Sequence, residues 1–259
     1  MRVALVVEYD GSQYHGWQAQ SGLRTVQGTL EAALSRIADQ EISVVCAGRT
    51  DTGVHASHQV IHFDSNKARS IRSWIYGANT YLPKDVSVRG GKEVTDAFHA
   101  RYSATARHYR YVIQNTPVRP ALLRSNLTWQ YRPLDHQLMH QAAQHLIGEH
   151  DFTSFRAIEC QSKTPMRNLM QLEVHRKQHF VILDITANAF LHHMVRNIVG
   201  VLMAIGSGSK PVDWIIEVLH AKDRKLGAET APPYGLCLAG VTYPPEFDMM
   251  KPAPNLILL

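Results

Sequence analysis

Apolar and polar positions alternate from the start of the chain. Val3, Leu5 and Val7 interleave with Ala4, Val6 and Glu8, which predicts a short strand, and Asp10 and Gly11 in "YDGS" predict the turn that ends it. The period then changes: from about Val26, Leu30, Ala33, Leu34 and Ile37 recur three or four apart, the spacing of a helix with one buried stripe. "ISVVC" (42–46) and "HQVIHF" (58–63) read as strands, with residues 48–53 as the loop between them. A helix over 69–79 and a strand over 85–89 complete a strand, helix, two strands, helix, strand series, an α+β pattern with mostly antiparallel pairing.

The second half echoes this order. "RHYRYVIQ" (107–114) predicts a strand, and 135–147 a helix capped by Asp135, ended by Gly148 and apolar along Leu138, Ala142 and Leu146. Strands are expected over 169–175 and 180–186. A helix follows over 190–206, striped by Leu191, Val195, Ile198, Leu202 and Ile205, with Arg196 at the stripe's edge. A shorter helix (212–219) precedes a last strand at 235–243, and the Pro-rich "YPPEFDMMKPAPNLILL" reads as an extended wrapping segment. Near residue 105 falls a soft boundary between an N-terminal half, 1–105, and a C-terminal half, 106–259. Nothing there resembles a flexible linker.

At 259 residues the chain can bury a sizeable core as one large domain or two modest ones. Its formal charge of +5 suits a polyanionic partner without establishing one. Cys46, Cys160 and Cys237 are far apart and form no CxxC pair, which argues against a disulfide framework and for an intracellular, cytoplasmic compartment. "MRVALVVEYDG" reaches Glu8 and Asp10 without a cleavage region, and the apolar 190–206 stretch holds His192, His193 and Arg196, so neither a leader nor a membrane span is expected. The 15 histidines complete no three-ligand metal pattern, and Asp10 with Asp51 makes no two-metal centre. Walker, dinucleotide and G-x-S-x-G signatures are missing, so no cofactor is expected.

The chemistry-bearing residues start with "AGRTDTGVHA" (47–56). Gly48 and Gly53 permit close backbone approach around Asp51, and Thr50 and Thr52 supply local hydrogen bonds, so the carboxylate can be held at a ligand or can simply organise an Asx-turn. Arg49 beside it can bind phosphate, pair with the carboxylate or face solvent. Asp-Thr-Gly also occurs in aspartic proteases, but that chemistry needs two carboxylates sharing a proton, and several long helices disagree with an all-β protease. Tyr109 shares one face of its strand with Arg107, Tyr111 and Ile113, either as a base-stacking platform or as a strand anchor. Arg196 has His192 one turn before it and Gly200 one turn after, where the missing side chain lets another element approach.

Taken in order, "YDGSQYHGWQAQ", "TVQGTLEAAL", "CAGRTDTGVHA", "FHARYSATARHYRYVI", "DFTSF" and "NAFLHHMVRNIVG" resemble the tRNA pseudouridine synthase A family over nearly the whole chain. The resemblance implies a pseudouridine synthase fold, two ferredoxin-like halves with mostly antiparallel sheets around a central cleft, and conversion of uridines 38, 39 and 40 of the tRNA anticodon stem-loop to pseudouridine. It implies Asp51 as the essential carboxylate, Arg49 assisting base flipping, Tyr109 packing on the base and Arg196 as basic partner of the aspartate. Leu236 of "GLCLAGV" would line an apolar wall around uracil, and Asn188 would be a neighbour or a structural residue. Thr52 stands where family members can carry Ala, a departure that leaves carboxylate and glycine intact. A homodimer receiving tRNA across both subunits is also implied. Arg24, Arg101, Arg107, Arg110 and Arg167 are candidates for backbone contacts, since phosphate contacts position RNA without reading its bases. The target uridine must be extruded before its glycosidic bond is accessible. Whether Asp51 attacks C1′, attacks the base or removes a ribose proton is left open, and a non-catalytic tRNA-binding protein or RNA chaperone is the alternative of a different class.

Overall fold

The computed structural model describes residues 1–252, in an α+β arrangement. Its elements are β1 (Arg2–Tyr9), α1 (Val26–Ala38), β2 (Val45–Cys46), β3 (His55–Asp64), α2 (Ile71–Tyr81), β4 (Val86–Val94), β5 (Ala106–Asn115), β6 (Thr128–Gln130), α3 (His136–Gln144), β7 (Gly148–Asp151), β8 (Met166–Lys177), β9 (Phe180–Ala187), α4 (Met194–Gly206), α5 (Trp214–Ala221) and β10 (Leu236–Thr242). The chain divides into two compact units, one of Met1–Arg107 together with the chain from Cys237 onward, the other of His108–Leu236. The last strand, which contiguity in sequence assigns to the C-terminal half, thus belongs from Cys237 to the first unit, because it pairs with β3. Such long-range pairing leaves no mark in local pattern.

In the first unit the strand order is β4-β1-β3-β10, with β2 also on β3. Pairing is antiparallel except for β3 with β10, where Cys237 faces His55 in a parallel register. Val3 opposite Phe63 and Leu5 opposite Ile61 form the helix-covered face, where the Phe63 ring meets Trp74 of α2 edge-on at 5.0 Å. Ala4 opposite His62 and Val6 opposite Val60 form the other face. There His62 meets Phe98, and Phe98 packs in turn on Tyr243 and Phe247 of the C-terminal segment. Both faces of β1 are therefore buried, which is why "VALVV" is apolar at every position rather than at alternate ones. The Lys92 ammonium holds the C-terminal segment by donating to the Phe247 carbonyl and the Asp248 carboxylate. Residues 253–259 of the expected wrapping segment lie outside the described residues.

The second unit has the order β5-β9-β8-β7, with β6 running parallel to β5. β7, β8 and β9 are antiparallel neighbours. Asp135 caps α3 as expected, accepting from the Gln137 and Leu138 amides, but the helix stops at Gln144 and Gly148, at φ 105°, opens a strand instead. α4 begins four residues later than the periodicity predicts because His193 adopts a left-handed φ of 62°. Val195, Ile198, Leu202 and Ile205 are buried as expected, and so are Val199 and Val201 off the stripe. Among the described residues no helix is long and apolar enough to cross a membrane.

Candidate active site

Asp51 sits in the irregular connection between β2 and β3. Just past β2 the Ala47 amide still donates to the Val60 carbonyl. Beyond it the chain makes a turn closed by the Val54 amide donating to the backbone carbonyl of Asp51, with Gly53 at φ 79°, where a side chain would strain the backbone. The segment 14–17 pins this turn: the Trp17 amide donates to the Thr50 carbonyl at 3.0 Å and the Gly53 amide to the Tyr14 carbonyl at 3.4 Å. Gly16 makes that approach feasible, since a Cβ there would lie 2.9 Å from the Thr50 oxygen. Asp51 is half-buried between buried Thr50 and Gly53, while Arg49 and Thr52 are exposed beside it.

The basic residues of this unit divide by partner. The Arg107 guanidinium is buried and donates to the carbonyls of Ala47, Ala104 and Arg101, bracing the start of the Asp51 loop. Arg24 lies over the Tyr14 ring at 4.3 Å and pairs with Asp85 at 2.8 Å. Arg101 is exposed against the Tyr102 ring. Burial pushes the Cys46 thiol up to about 12 against the opposing field of Arg49, so this cysteine stays protonated at neutral pH.

In the second unit Tyr109 is buried and meets Phe190 edge-on, at 5.1 Å between centroids. Two residues along the strand, the Tyr111 hydroxyl donates to the Pro232 carbonyl; burial pushes this phenol's pKa up, opposed by the Thr128 hydroxyl and by Arg196. The Arg196 Nε donates to the Ala231 carbonyl at 2.8 Å, and the Ala231 amide returns a bond to the Arg196 carbonyl at 3.1 Å. Gly200 permits this close approach, because a Cβ there would lie 2.0 Å from the Glu229 carbonyl oxygen. Leu236, at the end of this unit, is buried.

Arg110 forks onto Asp184 with bonds of 2.8 and 3.1 Å, and His108 adds a contact at 3.1 Å. Burial alone would raise the Asp184 carboxyl, yet the bonds from His108 and Arg110 outweigh it and bring it down to about 2. The buried Arg167 guanidinium donates to the Thr164 and Met166 carbonyls and to the Ser162 hydroxyl. Asn188 accepts from the Asn168 and Ala189 amides, joining β8 to the segment after β9.

A family model described as tRNA pseudouridine synthase matches residues 5–103 and 142–244. The chain belongs to the tRNA pseudouridine synthase family. Arg49 and Asp51 fall in the first matched stretch and Arg196 and Leu236 in the second, with Tyr109 between them. The chain is 68% identical over 259 residues to the tRNA pseudouridine synthase A of Legionella pneumophila (strain Corby), covering 100% of this chain and 99% of that protein. It is 56% identical over 250 residues to the protein of the same name from Coxiella burnetii (strain RSA 331 / Henzerling II), with 96% of each covered. A chain in the crystal structure of a Cbf5-Nop10-Gar1 complex overlays on 78% of this chain and 54% of its own length at 10% identity and a TM-score of 0.32, a likeness too loose to bear on the fold.

Pattern reading passed over two residues beside the loop. Gln59 is fully buried on β3, and its amide bonds Gly48 from both ends; the Tyr9 hydroxyl bonds Thr50 at 2.8 Å. The available signal was a glutamine within "HQVIHF", a buried amide that must find partners.

Proposed function

We propose that this chain isomerises uridine to pseudouridine at positions 38, 39 and 40 of the tRNA anticodon stem-loop, with Asp51 as the essential carboxylate. Full-length identity of 68% to a tRNA pseudouridine synthase A carries the reaction class. The pinned turn supports Asp51 as its agent, since a carboxylate that must meet a reacting atom has to be held before substrate arrives. The reaction breaks the bond from C1′ to N1 and forms one from C1′ to C5, with the uracil retained and turned between the two steps; C5 gives up its proton and N1 ends protonated, so the product is an isomer of the substrate. It is a neutral rearrangement that draws on no redox or energy-carrying partner.

In this reading Arg49, exposed next to the carboxylate, supports the opened helix once the uridine is extruded. Tyr109 and Leu236 hold the uracil through apolar and aromatic contact, and Arg196 is the basic partner of the carboxylate. The enzyme acts as a cytoplasmic homodimer that receives the anticodon arm of tRNA. Incubation with unmodified tRNA followed by site mapping tests this: pseudouridine at 38, 39 or 40 is expected. Pseudouridine confined to other positions would overturn the site assignment, and binding without product would leave an RNA-binding protein.

A further inference from the structure

We propose that Gln59, together with Tyr9, is a positioning residue that holds the Asp51 loop in its working geometry; this rests on Asp51 being the reacting carboxylate. Gln59 is 0% exposed on β3, at a strand position where an aliphatic side chain would fill the same space without a polar group to satisfy. Both ends of its amide are directed at one residue. Nε2 donates to the Gly48 carbonyl at 2.6 Å, and Oε1 accepts from the Gly48 amide at 3.4 Å. These bonds replace the ladder that β2 abandons after Ala47, so a side chain continues the pairing where backbone no longer can.

The network extends toward Asp51. Nε2 of Gln59 lies 3.5 Å from the Tyr9 hydroxyl, which in turn bonds the Thr50 hydroxyl at 2.8 Å. Gly48 and Thr50 are thereby gripped from β3 and β1, and the grip ends one residue before Asp51. Tyr9 is itself only 3% exposed, so both residues act through the loop and not on RNA. A buried polar chain of this kind fixes one geometry because any shift leaves a donor or acceptor unpaired in a low-dielectric setting.

The test is single-turnover pseudouridine formation, tRNA affinity and thermal melting for Gln59→Leu, Gln59→Glu, Tyr9→Phe and Asp51→Asn. Gln59→Leu keeps the volume and loses the grip. Its rate should fall about 10-fold or more, where a misplacement of about 1 Å can cost about 100-fold, while tRNA affinity stays within about twofold. Gln59→Glu supplies the discriminating profile. A neutral carboxyl can still donate to the Gly48 carbonyl, an ionised one cannot, and burial raises the introduced group's pKa. The ratio of its rate to wild type should therefore rise as pH falls. Rates within about twofold of wild type for folded Gln59→Leu and Tyr9→Phe, or a ratio for Gln59→Glu flat with pH, would overturn the proposal. If Gln59→Leu does not fold, Tyr9→Phe and Gln59→Glu decide. An active Asp51→Asn would defeat the catalytic reading itself, whereas an inactive one beside normal Gln59 variants would defeat the positioning role alone.

Discussion

Gly200→Ala separates local helix preference from packing, because the two give opposite signs. In an isolated helix this change is stabilising by about 1 kcal/mol. Here the added Cβ would lie 2.0 Å from the Glu229 carbonyl oxygen, whereas ordinary contact begins at 3.4 Å, so the chain at 229 must retreat by roughly 1.4 Å, the difference of the two. The obstacle is backbone, which cannot swing aside as a side chain tip can. Overpacking of this kind costs about 1–3 kcal/mol. The same retreat stretches, without breaking, the two bonds between Arg196 and Ala231, at 2.8 and 3.1 Å, for a loss of about 1 kcal/mol between them. Less the helix gain, the expected net loss is about 2 kcal/mol. For a chain of this size that lowers Tm by roughly 4–8 °C. Differential scanning calorimetry measures it, and pseudouridine formation below the transition should also fall as Arg196 loses its support. A Tm equal to or above wild type would show that the Glu229 carbonyl does not confine position 200.

Two further outcomes follow from the charge placements. Asp184 has a folded pKa of about 2, below its ordinary value of 3.8, so its contribution is complete above about pH 4 and is lost as pH falls toward 2. Urea melts of Asp184→Asn should therefore show a deficit of about 2 kcal/mol at pH 7 that shrinks below pH 4, and a pH-independent deficit would contradict this assignment. Arg107→Ala should lower Tm through three abandoned carbonyls and leave the salt dependence of tRNA binding unchanged, whereas Arg101→Ala should reduce the slope of log affinity against log salt by about one and leave Tm unchanged. Fluorescence titrations at several salt concentrations distinguish the two.

Local pattern located most elements because their periods are strong: the α1 stripe from Leu30 to Ile37 and the Asp135 cap lie where the residues indicate. It lost accuracy where tertiary contacts decide. Continuous apolarity in "VALVV" reflects a second covering layer that alternation cannot announce. His193 interrupts the 190–206 periodicity by a backbone conformation not encoded in hydrophobicity. β6 and β7 are three and four residues long and are strands only because β5 and β8 pair with them, so their sequences carry little of their own signal.

The candidate site shows the same division. A charge and glycine context marks Asp51; around it Gly16 allows the close approach to Thr50, and Gly53 takes the left-handed turn position. Charge alone could not separate arginines facing solvent from those serving the fold. Arg110 meets Asp184 seventy-four positions away, and Arg107 meets Ala47 sixty positions away. Gln59 was hidden for the converse reason, since its partner glycine has no side chain to pair with it in a pattern.

Single-turnover conversion of unmodified tRNA by wild type and Asp51→Asn, with pseudouridine mapped by position, decides whether Asp51 is the reacting carboxylate. Pseudouridine at 38, 39 or 40 is expected with wild type, and none above background with a folded, tRNA-binding Asp51→Asn. Conversion by that variant at a rate near wild type would contradict that role.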